Sequence, residues 1–323
     1  MFIREELTAA QALVAQQMPP TPQHVWPLLG RELGAEVVVK HENHAPTGAF
    51  KVRGGITFID WLKRAHPDMR GIITATRGNH GQSQARAAMA AGLHAKVLVP
   101  HGNSSEKNAA MAAFGAELVE HGQDFDEARE EAMRLAEAEA LFPVPPFHRE
   151  LVRGVATYGM ELFAAHPDLD VVYVPIGCGS GICGVIAARD ALGLKTDVVG
   201  VVSTEANGVK RSIEAGHLVE TSSARTIADG MAVRVPVPAA YDIYARGAAR
   251  VVEVNDDEIA TAMRLYFSAT HNIAEGAGAA PLAAALQERA RLAGKKVALI
   301  LSGGNVDMPL FAQVLAGQTP KVL

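Results

Sequence analysis

At 323 residues, 49% of them hydrophobic, the chain can bury one large core or two moderate ones, and two domains are expected. Its formal net charge of −5 comes from interspersed acids and bases with no basic stripe, which argues against nucleic acid as a partner. The charged start Met1-Phe2-Ile3-Arg4-Glu5-Glu6-Leu7 and the lack of a long apolar window argue against a leader peptide and a membrane span, so a cytoplasmic location is expected; two cysteines, Cys178 and Cys183, are too few for a disulfide framework or a four-ligand zinc site.

In chain order, apolar β-branched runs read as strands at Glu36–Lys40, Gly71–Ala75, Ala95–Val99, Ala116–Val119, Val171–Val174, Val198–Val202, Ala249–Glu253 and Lys296–Leu301. Alanine-rich amphipathic stretches between them, such as Gln82–Ala91, Asp126–Ala140 and Asp256–Thr270, read as helices. Strands alternating with helices predict an α/β fold of open parallel sheets covered on both faces. The proline cluster Pro143-Val144-Pro145-Pro146 predicts a crossing between lobes, with a small domain at 52–150 and a large one built from 1–51 and 151–323.

Four glycine-flanked turns follow predicted strands. The first holds Lys51, in Thr47-Gly48-Ala49-Phe50-Lys51-Val52-Arg53-Gly54-Gly55. An amine that forms a Schiff base must be unprotonated near neutral pH, which takes desolvation or a cationic neighbour, and Arg53 is the nearest candidate for the latter. The others are Thr76-Arg77-Gly78-Asn79-His80-Gly81-Gln82, Gly177-Cys178-Gly179-Ser180-Gly181-Ile182-Cys183-Gly184, and Ser302-Gly303-Gly304-Asn305. In open parallel sheets such turns gather at one crevice.

Gly179-x-Gly181-x-x-Gly184 also satisfies the dinucleotide fingerprint, with Glu205 at the distance of a ribose-binding acid, so a nicotinamide oxidoreductase is the rival reading. The physics is shared, because glycine amides at a helix N-terminus bind any phosphate. The rival leaves Lys51, Asn79 and Ser302 unexplained.

Taken in order, the four turns resemble the pyridoxal-phosphate enzymes of the tryptophan-synthase β fold type, in the threonine/serine dehydratase and serine racemase branch. The resemblance covers essentially the whole chain. It implies pyridoxal 5'-phosphate as cofactor, Lys51 as the lysine that carries it with Phe50 alongside, Asn79 on the ring hydroxyl, Gly177, Cys178, Gly179, Ser180 and Gly181 around the phosphate, Ser302 at the pyridine nitrogen and Glu275 near the ring. It further implies that Thr76, Arg77, Gly78, Asn79 and His80 receive the substrate carboxylate, and that the protein is a homodimer. The implied reaction is loss of water from a β-hydroxy-α-amino acid, L-threonine or L-serine, followed by hydrolysis of the released aminoacrylate to a 2-oxo acid and ammonia.

Departures from the family pattern narrow this expectation. Arg77 stands where the racemase branch has a serine that acts as a base; a guanidinium cannot, so racemization is not expected. Ala45 and Ala49 replace polar residues, which leaves open a larger substrate, phenylserine-like or a hydroxyectoine-derived catabolite. Glu205 is followed six residues on by Arg211 rather than an aspartate, so no metal is expected there. Glu275 could instead cap the helix that follows it. His41-Glu42-Asn43-His44 lacks zinc-protease spacing and reads as structural. From the short stretch after Ser302 no C-terminal regulatory domain is expected, an expectation that suits a catabolic role.

Overall fold

The computed structural model describes residues 1–321. Ten strands are seen among them: β1 (Gln23–Val25), β2 (Glu36–His41), β3 (Gly71–Ala75), β4 (His94–Val99), β5 (Glu117–Glu120), β6 (Phe142–Pro143), β7 (Val171–Pro175), β8 (Asp197–Ser203), β9 (Arg250–Val254) and β10 (Lys296–Leu301). They form a six-stranded sheet ordered β1-β2-β10-β7-β8-β9 and a four-stranded sheet ordered β5-β4-β3-β6. Every pairing is parallel except β1 with β2.

The large sheet is covered on both faces, which is why its strands are nearly unbroken apolar runs. Val37, Val39, Tyr173 and Leu299 point into one core cluster, which holds much of the helix Gly276–Gln287. Val38, Val172, Val174 and Ile300, their neighbours along the same strands, point into the opposite cluster with the helices Arg149–Ala165 and Ser180–Ala191. The period of two is the pleat itself. The small sheet packs its own clusters around Phe58, Ile72 and Ala88 on one side and Ile73, Leu98 and Ala132 on the other.

β1 and β6 escape the sequence pattern because each is an edge strand of two or three residues. Pro143 has no N–H to give, which an edge tolerates; Val144 N completes the pairing on Ile73 O at 2.8 Å.

The helix Lys51–Ala65 leads into the small sheet and the helix Arg149–Ala165 leads out of it, the two packed tightly together. A Cβ on Gly154 would lie 2.1 Å from Arg53 O, so this crossing requires glycine. Thr57 Oγ1 donates to Glu150 O at 2.7 Å across the same contact.

Behind the lysine helix sits a closed ionic cluster. Fully buried Arg53 donates to both oxygens of Glu42 at 2.8 and 2.9 Å and to both oxygens of Glu161 at 2.7 and 2.9 Å. Lys40 adds a contact to Glu161 at 2.5 Å and another to Thr21 O at 3.0 Å. Burial opposes the charge on Arg53, but Glu42 and Glu161 outweigh it and hold its pKa above the ordinary value. No helix among the described residues is long and apolar enough to cross a membrane.

Candidate active site

The carboxyl ends of β2, β3, β7 and β10 lead into the four turns, and these meet at one cleft. Phe50, Lys51, Asn79, Gly177 to Gly181, Glu275 and Ser302 all line it, joined by Pro175, Gly230 and Ala277. A roomier surface groove of about 480 Å³ beside Trp26, Arg31 and Lys295 contains none of these groups, so size does not identify the site.

The lysine turn is sewn to the serine turn by a short backbone ladder. Phe50 N donates to Ser302 O at 3.0 Å, Ala49 bridges Gly303, and Gly304 N donates to Gly48 O at 2.9 Å. Lys51 therefore begins its helix at a fixed distance from Ser302. Its Nζ lies 5.1 Å from the centre of the Phe50 ring, which meets Tyr158 edge-on. Tyr158 in turn donates to Gly181 O at 3.1 Å, tying the ring to the glycine loop.

Burial lowers the pKa of Lys51, with Cys178 and Glu275 opposing weakly. Arg53 is not the cause. Two residues along a helix point to different sides, and Arg53 faces away into Glu42 and Glu161. The expectation of a cationic neighbour is thus corrected: desolvation prepares the amine.

On the small-sheet side, Asn79 opens the helix Asn79–Ala90 and donates Nδ2 to Glu275 Oε1 and Oε2 at 2.9 and 3.1 Å. Gly78 N is already engaged by Thr76 Oγ1 at 3.0 Å, while the first-turn amides of Asn79 and His80 are free of intrahelical partners by construction. Arg77 points to solvent. His80 Nε2 is buried without a partner, and burial, reinforced by Lys51, pushes its imidazole down to about 3, so it is neutral at working pH. Lys107 lies across Gly78, where a Cβ would come within 2.7 Å of its Cδ, and reaches Asp229 Oδ2 at 2.6 Å.

Glu275 is the N-cap residue of the helix Gly276–Gln287, but its carboxylate turns into the cleft and makes no capping bond. Burial raises its pKa, against the pull of Lys107 and Asn79. Ala45 packs with Val14, Met18, Val52 and Ile56, and Ala49 lies under Gly303; neither lines the cleft, so the structural ground for a larger substrate is gone.

The glycine loop is built for an anion. A Cβ on Gly177 would lie 2.0 Å from Gly230 O, and Gly179 sits at φ +97°, so neither tolerates a side chain. The loop ends at the N-terminus of the helix Ser180–Ala191, whose unpaired amides and dipole favour a phosphate. A phosphate cradle, a desolvated amine across from it and a hydroxyl at Ser302 fit pyridoxal phosphate.

Residues 14–303 match the family described as pyridoxal-phosphate dependent enzyme. The chain belongs to that family. It is a pyridoxal-phosphate-dependent enzyme with the family's α/β fold, and the nicotinamide reading of the glycine loop is set aside. The L-threonine ammonia-lyase of Thermotoga maritima is 32% identical over 98% of this chain and 78% of its own length. The processed form of threonine deaminase isoform 2 from Solanum lycopersicum superposes with a TM-score of 0.89 at 29% identity, covering 98% of this chain and 95% of its own. Maize serine racemase superposes with a TM-score of 0.91 at 26% identity, covering 98% and 97%.

The four turns carry the resemblance seen in the sequence, but other residues that build this site carry no motif. Tyr158, Lys107 and Asp229 are each brought in by tertiary packing. Asn305, by contrast, lies inside the fourth turn.

Proposed function

We propose that the protein is an ammonia-lyase that removes water from L-threonine or L-serine, the released enamine then being hydrolysed by water to a 2-oxo acid and ammonia. The observation that carries this reading is a cleft that brings the desolvated Lys51 amine together with the glycine loop and the hydroxyl-bearing Ser302. Bound pyridoxal phosphate supplies an electron sink for charge at the substrate's α-carbon.

Lys51 Nζ, neutral when released, takes the α-proton. Ser302 Oγ would meet the pyridine nitrogen and, unlike a carboxylate, would not keep it protonated, so the sink would be weak and loss of the β-hydroxyl favoured over storing the charge. The amides of Asn79 and His80 hold the substrate carboxylate at the helix N-terminus, and Thr76 shapes that turn through its bond to Gly78 N. Arg77, exposed beside it, offers no base, which sets elimination above racemization. The division into a small domain at 52–150 and a large one at 1–51 and 151–323, a homodimer and a cytoplasmic location belong to the same reading.

The test is an absorption spectrum of the purified protein followed by an assay with L-threonine and L-serine. A visible cofactor band with 2-oxobutanoate from threonine is expected. A band with no product from either amino acid overturns the substrate assignment.

A further inference from the structure

Among the described residues, Asn305 is the one side chain that joins three of the four turns. It closes the serine turn, and both hydrogens of its amide are used: Nδ2 donates to Thr47 O at 2.8 Å, in the lysine turn, and to Asn79 Oδ1 at 2.7 Å, in the small-sheet turn. Its own oxygen lies against Gly48, at φ +67°, where a Cβ would come within 2.3 Å. The space for this amide exists because residue 48 is glycine.

An amide is nearly symmetric in outline, so its neighbours decide which end is oxygen and which is nitrogen. Asn79 has two such neighbours. Glu275 alone does not settle the matter: a carboxylate only accepts, whereas a protonated carboxyl also donates, and burial pushes Glu275 towards the protonated form. Asn305 does settle it. Thr47 O is a backbone carbonyl that can only accept, so the nitrogen of Asn305 must face it, and the same nitrogen then meets Asn79 through its oxygen. The NH₂ end of Asn79 is left for Glu275, whose two oxygens it meets at 2.9 and 3.1 Å, and for the cleft that Asn79 lines.

We infer that Asn305 is a positioning residue: anchored on the Thr47 carbonyl, it fixes the Asn79 amide so that its N–H end, and not its oxygen, is offered to the ring oxygen of the bound cofactor. This rests on the assignment of Asn79 to that oxygen, so the experiment separates the two. Apoprotein of the wild type, Asn305→Ala, Asn79→Ala and the double variant is titrated with pyridoxal phosphate, and the pH midpoint of the bound cofactor's visible band is measured for each.

Asn305→Ala is expected to weaken cofactor binding roughly 5- to 10-fold, as the loss of one oriented hydrogen bond does. It should also move the band's midpoint in the same direction as Asn79→Ala. In the Asn79→Ala background the Asn305 substitution should change neither quantity. An equal weakening in both backgrounds overturns the inference and leaves Asn305 as a brace for the lysine turn alone. If Asn79→Ala changes neither binding nor midpoint, the Asn79 assignment itself falls and the role of Asn305 with it. Should Asn305→Ala fail to fold, as judged by circular dichroism of the apoprotein, Asn305→Ser enters the same cycle with the same outcomes.

Discussion

Two buried polar clusters lie on either side of the lysine helix, and they are built on opposite principles. Behind the helix, Arg53 and Lys40 meet Glu42 and Glu161, and the opposite charges hold Arg53 and Glu161 in their ionised forms despite burial, although burial still pulls Lys40 below its ordinary value. In front of it, burial drives Lys51, His80, Cys178 and Glu275 towards their neutral forms, with too little opposite charge to reverse it. The first arrangement holds the helix in place. The second leaves groups whose protonation can change, which is what proton transfer requires.

If that division is right, substitutions in the two clusters have crossed effects. The largest is expected for Lys51→Met, which should lower ammonia release by at least about 10³-fold, since nucleophile and base are lost together. The same change should raise the melting temperature of the apoprotein. The folded-state pKa of Lys51 is depressed, so the unfolded chain binds its proton more tightly; the buried amine thus costs stability at neutral pH, and that cost fades only as pH rises towards 10.5. A Lys51→Met apoprotein that melts below the wild type would break the comparison. Arg53→Met should do the reverse, destabilising by about 3–5 kcal/mol in urea unfolding because Glu42 and Glu161 lose their common partner.

A smaller effect is expected from His41, which is fully buried, accepts from Trp26 Nε1 at 3.0 Å, and is pushed down to about 4 by burial and by His44. Its stabilising contribution is complete above pH 6.5 and is lost as pH falls from 6.5 towards 4, at most about 3 kcal/mol. Melting curves across that window should be flatter for His41→Gln. Equal slopes would assign the acid sensitivity elsewhere. The smallest effect should come from Lys107→Met, which removes a pair spanning the two sheets' lobes; a loss of about 1 kcal/mol is expected.

The strands were legible wherever a run was long and doubly buried, as in Val37–Val38–Val39 or Leu299–Ile300–Leu301. β1 and β6 were not, because two or three residues on an edge leave no periodicity to read. The cleft was legible as far as its turns go, since glycine spacing is local. What lay beyond the sequence is contact between distant segments. Arg53 looks like a neighbour of Lys51 in the chain and belongs to a different cluster in space. Asn305, visible in its turn, gains meaning only beside Thr47 and Asn79.

The register of the large sheet has a consequence for how the molecule is made. β2 pairs in parallel with β10, residues 36–41 beside 296–301, so one interior contact of the sheet joins segments far apart in the chain. The four-stranded sheet, by contrast, is contained between residues 71 and 143. Closing the long loop carries the greater entropic cost and is expected to come late, after the inserted sheet has formed. A ribosome-bound chain lacking β10 would therefore present an assembled small lobe and an unfinished large sheet with β2 and β7 exposed, the interval in which this protein is most open to aggregation.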